Sequence, residues 1–423
     1  MKTSKTVAVN FAALTVIALM AFAPRAEAIP LFAHKYNTTC FTCHTTPPVL
    51  NEFGRRFQAN GYQLPGTIEK IALWDQPTFA FGAVAQPMVI QSEGWIGDSS
   101  TGKSTTFSGI EVALFSSASL GAHLSYFAAV PVSIADGNTS IEIETANLMY
   151  SDLLNDGTGS VNLRLGKFRF FVPFPENVML TNPGIDPPIL VNGYDAFDGK
   201  DNLVKANDLV ATDPTFGASA FGMIPGIAEG LRWEVGMTGG NSSDIDLTTA
   251  KAYFASLDQT FYVDNAPLRI SGFYYTGSQG ITDSLGVDSL SNTISVGWTN
   301  HTVRGGVGVD FLDPFVKRLD FFGEYMVGKD DNVDTVGVVQ NMSGGFAGVN
   351  VIVLPEKLYV YGRYDFRTVK ETSDAVNQID VGIQYHLLPN VFLTGVYSVK
   401  NETIPQSPDQ KTTTFGAGVR FGF

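Results

Sequence analysis

The chain holds 423 residues, with 27 Lys and Arg against 41 Asp and Glu, a formal net charge of −14, and 43 Gly, 31 Phe and 15 Tyr but only 2 Cys. Low charge content with this much Gly and aromatic residue excludes a disordered or coiled-coil chain, and the acidic balance excludes a basic nucleic-acid-binding surface. Two cysteines exclude a disulfide-stapled scaffold.

Residues 1–28 read as an export signal. Lys2 and Lys5 form the positive start, and Val7 to Ala23 form an apolar core interrupted only by Asn10 and Thr15. Ala26-Glu27-Ala28 supplies the small residues of a cleavage site. No later stretch reaches the roughly 18 consecutive apolar residues that a membrane helix needs. If the exported chain spans a membrane, it must do so as strands.

The two cysteines sit in one motif, Cys40-Phe41-Thr42-Cys43-His44. C-x-x-C-H is the attachment signature of c-type haem. Two thiols one helical turn apart each add to one haem vinyl group, and the next residue donates its imidazole nitrogen to the iron. A thioredoxin-like redox pair would need a βαβ context, and zinc would need two further ligands nearby. The flanks Thr38-Thr39 and Thr45-Thr46-Pro47-Pro48 offer neither. Haem attachment also follows export, in agreement with the signal. The sixth iron position commonly takes Met or His. His34, upstream of Cys40, and Met88, on the inward parity of the first strand, are the candidates, with an open iron as the third option.

Residues 29–74 form a small N-terminal module. A helix is expected from Pro48, with Val49, Leu50, Phe53 and Phe57 at helical spacing and Gly61 as its C-cap after Asn60. The module is too short to bury a sizeable core without its haem or a host cavity.

Residues 75–423 alternate with period 2, the mark of strands. On the final strand Phe415, Ala417, Val419, Phe421 and Phe423 share one face, and Thr414, Gly416, Gly418, Arg420 and Gly422 the other. Residues 379–387 set Ile379, Val381, Ile383, Tyr385 and Leu387 against Asp380, Gln384 and His386. Sixteen such segments fall between residues 77 and 423. Every second connection is short, as at Ser119-Leu120, Val263 to Ala266 and Pro355-Glu356, whereas 92–103, 172–206, 279–290 and 405–411 read as longer polar loops. An even strand count with short turns at one end and long loops at the other predicts an all-β fold, a transmembrane antiparallel β-barrel of the outer-membrane kind. The stretch 172–206, rich in Pro and holding Asp186, Asp195, Asp198 and Asp201, reads as a solvated acidic loop or a cation-gathering mouth.

The stretch Pro30-Leu31-Phe32-Ala33, the run Cys40 to His44, then Pro48-Val49-Leu50-Asn51-Glu52-Phe53-Gly54-Arg55-Arg56-Phe57 and Asn60-Gly61-Tyr62 together resemble a known N-terminal domain. It is that of the fused monohaem cytochrome–porins, the outer-membrane family that includes the iron oxidases of iron-oxidising bacteria. The motif likeness covers the module, while over the barrel the likeness is architectural, with a C-terminal aromatic that resembles the barrel-assembly signal. The resemblance implies one haem c, held by Cys40 and Cys43 and ligated by His44. It makes Asn51, Phe53, Gly54, Phe57, Gly61 and Tyr62 packing positions of the haem module. The family usually carries Arg where this chain has His34, so the resemblance gives that ligand no support.

Two function classes follow. In the first, a haem held in an outer-membrane pore passes single electrons between an extracellular donor or acceptor, such as Fe(II), and a periplasmic carrier such as a soluble cytochrome c. In the second, the barrel is a diffusion porin or transporter whose haem module gates or senses. A haem peroxidase would need a distal His/Arg pair, which the sequence does not present.

Overall fold

A computed structural model of the chain describes residues 32, 35–36, 38–46, 49–64, 80–85, 87–107, 110–121, 123–135, 138–155, 157–171, 193–197, 203–208, 214–224, 230–239, 251–287, 293–316, 318–331, 339–371, 373–388, 391–403 and 407–422. The export signal, His34 and most of 172–206 lie outside these residues.

The N-terminal part carries α1 (Cys40–Cys43), β1 (His44–Thr46), β2 (Val49–Leu50) and α2 (Glu52–Ala59). β3 (Ala80–Ala85) and β4 (Met88–Ile96) follow, then β5 (Ser99–Phe107), β6 (Ile110–Ser119), β7 (Leu124–Ala135), β8 (Asn138–Ile141), β9 (Thr145–Tyr150) and β10 (Asn162–Phe168). β11 (Gly193–Phe197) and β12 (Leu203–Asp208) pair only with each other. The remaining strands are β13 (Thr215–Ile224), β14 (Leu231–Thr238), β15 (Ala252–Val263), β16 (Ala266–Val287), β17 (Thr293–Leu312) and β18 (Leu319–Asp331). β19 (Val339–Leu354), β20 (Leu358–Val369), β21 (Asp374–Leu388), β22 (Val391–Thr403) and β23 (Gln410–Gly422) complete the chain.

All but β1, β2, β11 and β12 join one closed antiparallel barrel. β3 with β4, β5 with β6, and β8 with β9 each act as one interrupted stave, which gives sixteen staves. The last strand closes the barrel on the first, with Gly418 opposite Met88 and Phe421 opposite Ala85. Closure joins the two edges of the barrel sheet, as a lipid bilayer demands of a spanning sheet.

The alternation of the sequence is the alternation of the walls. On β21, Asp374, Gln378, Asp380, Gln384 and His386 are buried in the lumen, while Ile379, Val381, Ile383, Tyr385 and Leu387 are exposed on the outer surface. The outer band continues through Leu163, Leu165, Val235, Leu257, Val307 and Val309, with the aromatics Tyr253, Tyr274, Tyr325, Tyr364 and Tyr397 among them. An apolar surface of this extent has lipid, not water, as its solvent. The protein is a membrane-spanning β-barrel of the outer-membrane kind.

Two expectations change in detail. Residues 92–103 and 279–290 are not simple loops: β4 and β5 turn over at Gly97-Asp98, and β16 runs on to Val287. In β5 the Ser and Thr residues keep the ribbon soluble on both faces, every residue of it being exposed, so strand pairing continues past the lipid band. The helix expected from Pro48 starts at Glu52, because Asn51 caps it and leaves Val49 and Leu50 extended.

Candidate functional site

The attachment motif forms a single helical turn. The His44 backbone N–H donates to the Cys40 carbonyl oxygen, and His44 itself is extended at φ −124°. Cys40 and Cys43 therefore face one side of α1, both half-buried and not bonded to each other. Asn51 organises the turn. Its backbone N–H donates to Cys43 O at 2.9 Å, and its Nδ2 donates to Thr42 O at 3.0 Å and Phe41 O at 3.3 Å. Its Oδ1 accepts from Gly54 N at 3.0 Å, so one side chain caps α2 and holds α1 against it. Gly54 allows that approach, since a Cβ there would lie 2.2 Å from the Cys43 carbonyl oxygen.

Burial pushes both thiols up. Cys43 reaches about 11, raised first by burial and then by its neighbour Cys40. Cys40 is also raised by burial, against a weaker opposing pull from its own backbone hydrogen bond and from Arg420. The donor set fits a covalent haem: two protonated, unlinked thiols one turn apart, with an imidazole directly after the second. Among the described residues no cluster of three or more His, Cys, Asp or Glu side chains offers a competing metal site.

The module touches the inward faces of the barrel from many staves. Ser125 Oγ on β7 donates to Gly61 O at 3.0 Å, and Asn162 Nδ2 on β10 donates to Ala59 O at 2.9 Å. Arg232 Nη1 on β14 donates to Gln58 Oε1 at 3.1 Å, and Thr260 Oγ1 on β15 donates to Glu52 Oε2 at 2.7 Å. Arg55 Nη1 stands 3.9 Å from Asp310 Oδ2 on β17, at the end of a wall ladder that runs through Arg269, Asp258 and Arg232. Phe41 meets His386 on β21 with ring centroids 5.5 Å apart. Each barrel partner lies within a few residues of a short turn, so the module sits at the short-turn mouth.

Its apolar residues divide. Phe57 is buried between Phe32, Tyr36 and Tyr62, while Tyr62 stacks on Phe127 of β7 at 4.7 Å. Phe53 is 37% exposed and contributes least. Gly61 has φ +67°, and a Cβ there would strike Ser151 Oγ at 2.4 Å. Only glycine both makes this turn and lets the chain approach the wall so closely.

One wall patch faces the attachment turn. His386, Phe392 and Arg420 are register partners on β21, β22 and β23, and Gln384, Thr394, Gly418 and Met88 form the next row into the barrel. Met88, a candidate from the sequence, is buried in that second row. His386 escaped the sequence reading. Its parity assigns it to the lumen, but no local signal tells that β21 adjoins the motif.

Beyond the module, the lumen is filled on one side by an apolar cluster. Phe168, Phe170, Phe254, Phe273, Tyr275, Phe322, Met326 and Phe346 pack there, with Phe170 on Phe254 at 4.5 Å. The segment after β10 is held inside by Phe171 N, which donates to Glu234 Oε2 at 2.7 Å, and by the ion pair of Arg164 with Glu234.

No protein-family model and no curated protein matches the chain. Its solved structural neighbours are outer-membrane channels. It is similar to the anion-selective porin of Comamonas acidovorans, at 14% identity and TM-score 0.54, over 82% of this chain and 99% of that one. The OprB protein of Pseudomonas putida is similar at 10% identity and TM-score 0.53, over 81% and 94%. The outer-membrane channel DcaP of Acinetobacter baumannii is similar at 14% identity and TM-score 0.52, over 85% and 100%. These likenesses concern the barrel fold.

Proposed function

We propose that this protein moves single electrons across the outer membrane, through a haem c held in the barrel mouth by Cys40, Cys43 and His44. The observation that carries the reading is the C-x-x-C-H turn itself, clamped by Asn51 and docked by residues 41–61 against inward-facing barrel residues. Haem would supply a one-electron donor and acceptor. The chain's own residues do the rest. Cys40 and Cys43 anchor the group, His44 binds its iron, and Asn51 and Gly54 set the turn. Ser125, Asn162, Arg232 and Thr260 fix the module to the wall.

Short turns belong to the periplasmic side of outer-membrane barrels. On that rule the module meets a periplasmic carrier, such as a soluble cytochrome c, and the long loops meet the extracellular donor or acceptor, for which Fe(II) is the first to try. Visible spectra and potentiometry of the purified protein before and after Fe(II), at controlled pH, test the reading. Reduction by Fe(II) with re-oxidation by a c-type cytochrome is expected, and a protein purified without covalent haem would sink it.

A second reading has its own support. The structural neighbours are named as porins and channels, which favours a diffusion porin whose module gates or senses. Liposome swelling with small solutes separates the two. A module filling the mouth and an aromatic cluster beyond it predict little swelling, whereas a working porin swells readily.

A further inference from the structure

We propose that His386, on the barrel wall, supplies the second axial ligand of the haem iron. The inference rests on the haem reading above and adds a residue far from the motif in sequence.

The chain has five histidines, and the structure separates the four that it describes. His44 belongs to the motif. His123 lies at a short turn, where its Nδ1 is 2.9 Å from Ser151 O and its ring stacks on Tyr150. His301 is exposed on the β16–β17 ribbon beside Ser278. His386 alone among them stands against the attachment turn, its ring 5.5 Å from that of Phe41, between the two cysteines.

Its setting is that of a ligand in waiting. The side chain is 97% removed from solvent, at 3% exposure. Its ring stacks on Phe392 at 4.7 Å and lies 5.3 Å from Tyr359, which fixes its plane. The Gln384 side-chain amide, placed with its nitrogen toward the ring, is 2.6 Å from Nε2, while Nδ1 is buried with no hydrogen-bond partner among the described residues. A buried imidazole nitrogen without a partner is an unfavourable arrangement that needs a reason. A metal-bound imidazole donates its other N–H to an acceptor, so ligation through Nδ1 goes with the Gln384 amide turned to present its oxygen to Nε2–H. The same wall continues from His386 to Phe392 and on to Arg420, its register partner on the last strand. Met88 is the rival. It stands one row deeper, opposite Gly418.

The test uses full-length protein matured with haem: wild type, His386→Ala, His386→Met and Met88→Leu, each checked for covalent haem on a denaturing gel. The wild type should give the low-spin signature of two imidazole ligands by electron paramagnetic resonance. His386→Ala should turn high-spin and recover the low-spin signature on addition of free imidazole. His386→Met should stay low-spin with a raised potential, as Met ligation raises the potential of c-type cytochromes. Met88→Leu should match the wild type. A His386→Ala protein that keeps the wild-type spectrum and potential overturns the assignment, as does loss of the low-spin signal in Met88→Leu. If His386→Ala does not accumulate, an unchanged potential in His386→Met overturns it equally. Absence of covalent haem in the wild type would fail the underlying reading instead, which the gel reports separately.

Discussion

Asn162 Nδ2 donates to the carbonyl oxygen of Ala59 at 2.9 Å, so the last residue of α2 is tied to the first residue of β10. The same side chain accepts from Asp152 N at 2.7 Å and donates to Gly159 O at 3.0 Å. A fully buried amide thus satisfies a short turn and the module together. Asn162→Ala should leave these buried backbone groups unpaired, at a cost of about 1–3 kcal/mol to docking. Limited proteolysis of purified protein should then release the module before the barrel is cut. Equal protease resistance of module and barrel in the variant would show that this tie contributes nothing.

The cysteines make a simpler prediction. Cys40→Ala or Cys43→Ala removes one thioether and should reduce or abolish the covalent haem seen on peroxidase-stained denaturing gels. The barrel should still insert, because its closure and lipid band use neither residue. Full haem retention in the double variant would exclude thioether attachment.

The thiols also predict a pH profile. Their pKa values are raised by burial, Cys43 to about 11, so both stay protonated at neutral pH. Only the thiolate reacts with iodoacetamide. In protein made without haem maturation, alkylation should be slow at pH 7 and climb roughly tenfold per pH unit towards pH 11. A plateau near the ordinary thiol value of about 8.5 would mean that the turn lies open to water. Matured protein should not react at any pH in this range.

Topology is testable on cells. The connection from β10 to β13 falls at the long-loop end, and the connection from β13 to β14, in which Pro225 lies, at the short-turn end. A tag inserted near Gly193 should be reached by antibody on intact cells, and one at Pro225 only after the outer membrane is opened. The reverse result would invert the barrel and move the module outside.

Much of this molecule was legible in its sequence, for a physical reason. A lipid-facing strand needs an apolar residue at every second position, and the lumen tolerates polar ones, so β21 and β23 declare both faces within a dozen residues. The ribbons past the bilayer were not legible, because once both faces meet water, Ser, Thr and Gly serve strand and loop alike. The helix start at Glu52 was missed because the Val49-Leu50 pair fits a helical stripe, while the cap at Asn51 also serves a tertiary contact. The strands β11 and β12 fell inside what reads as loop. His386 shows the limit most clearly, since parity places it inward but only the closed barrel brings it to Phe41.

The last prediction concerns whether the module is a part or a passenger. Residues 29–74 are too few to bury a core of their own, and domains below roughly 40–60 residues need staples, metals or partners. Here Phe57 packs mainly within the module, but Tyr62 stacks on Phe127, and the polar groups of Glu52, Gln58, Ala59 and Gly61 find partners on the wall. Cut from the barrel, Tyr62 loses its stacking partner, while these polar groups exchange wall partners for water. Residues 29–74 expressed alone with haem maturation should therefore be labile to protease. Their potential should differ from that of the full chain, and the fragment should lack the low-spin signature if His386 is the missing ligand. A stable fragment with the full-length spectrum and potential would make the module a tethered, self-sufficient cytochrome, and the barrel behind it an independent porin.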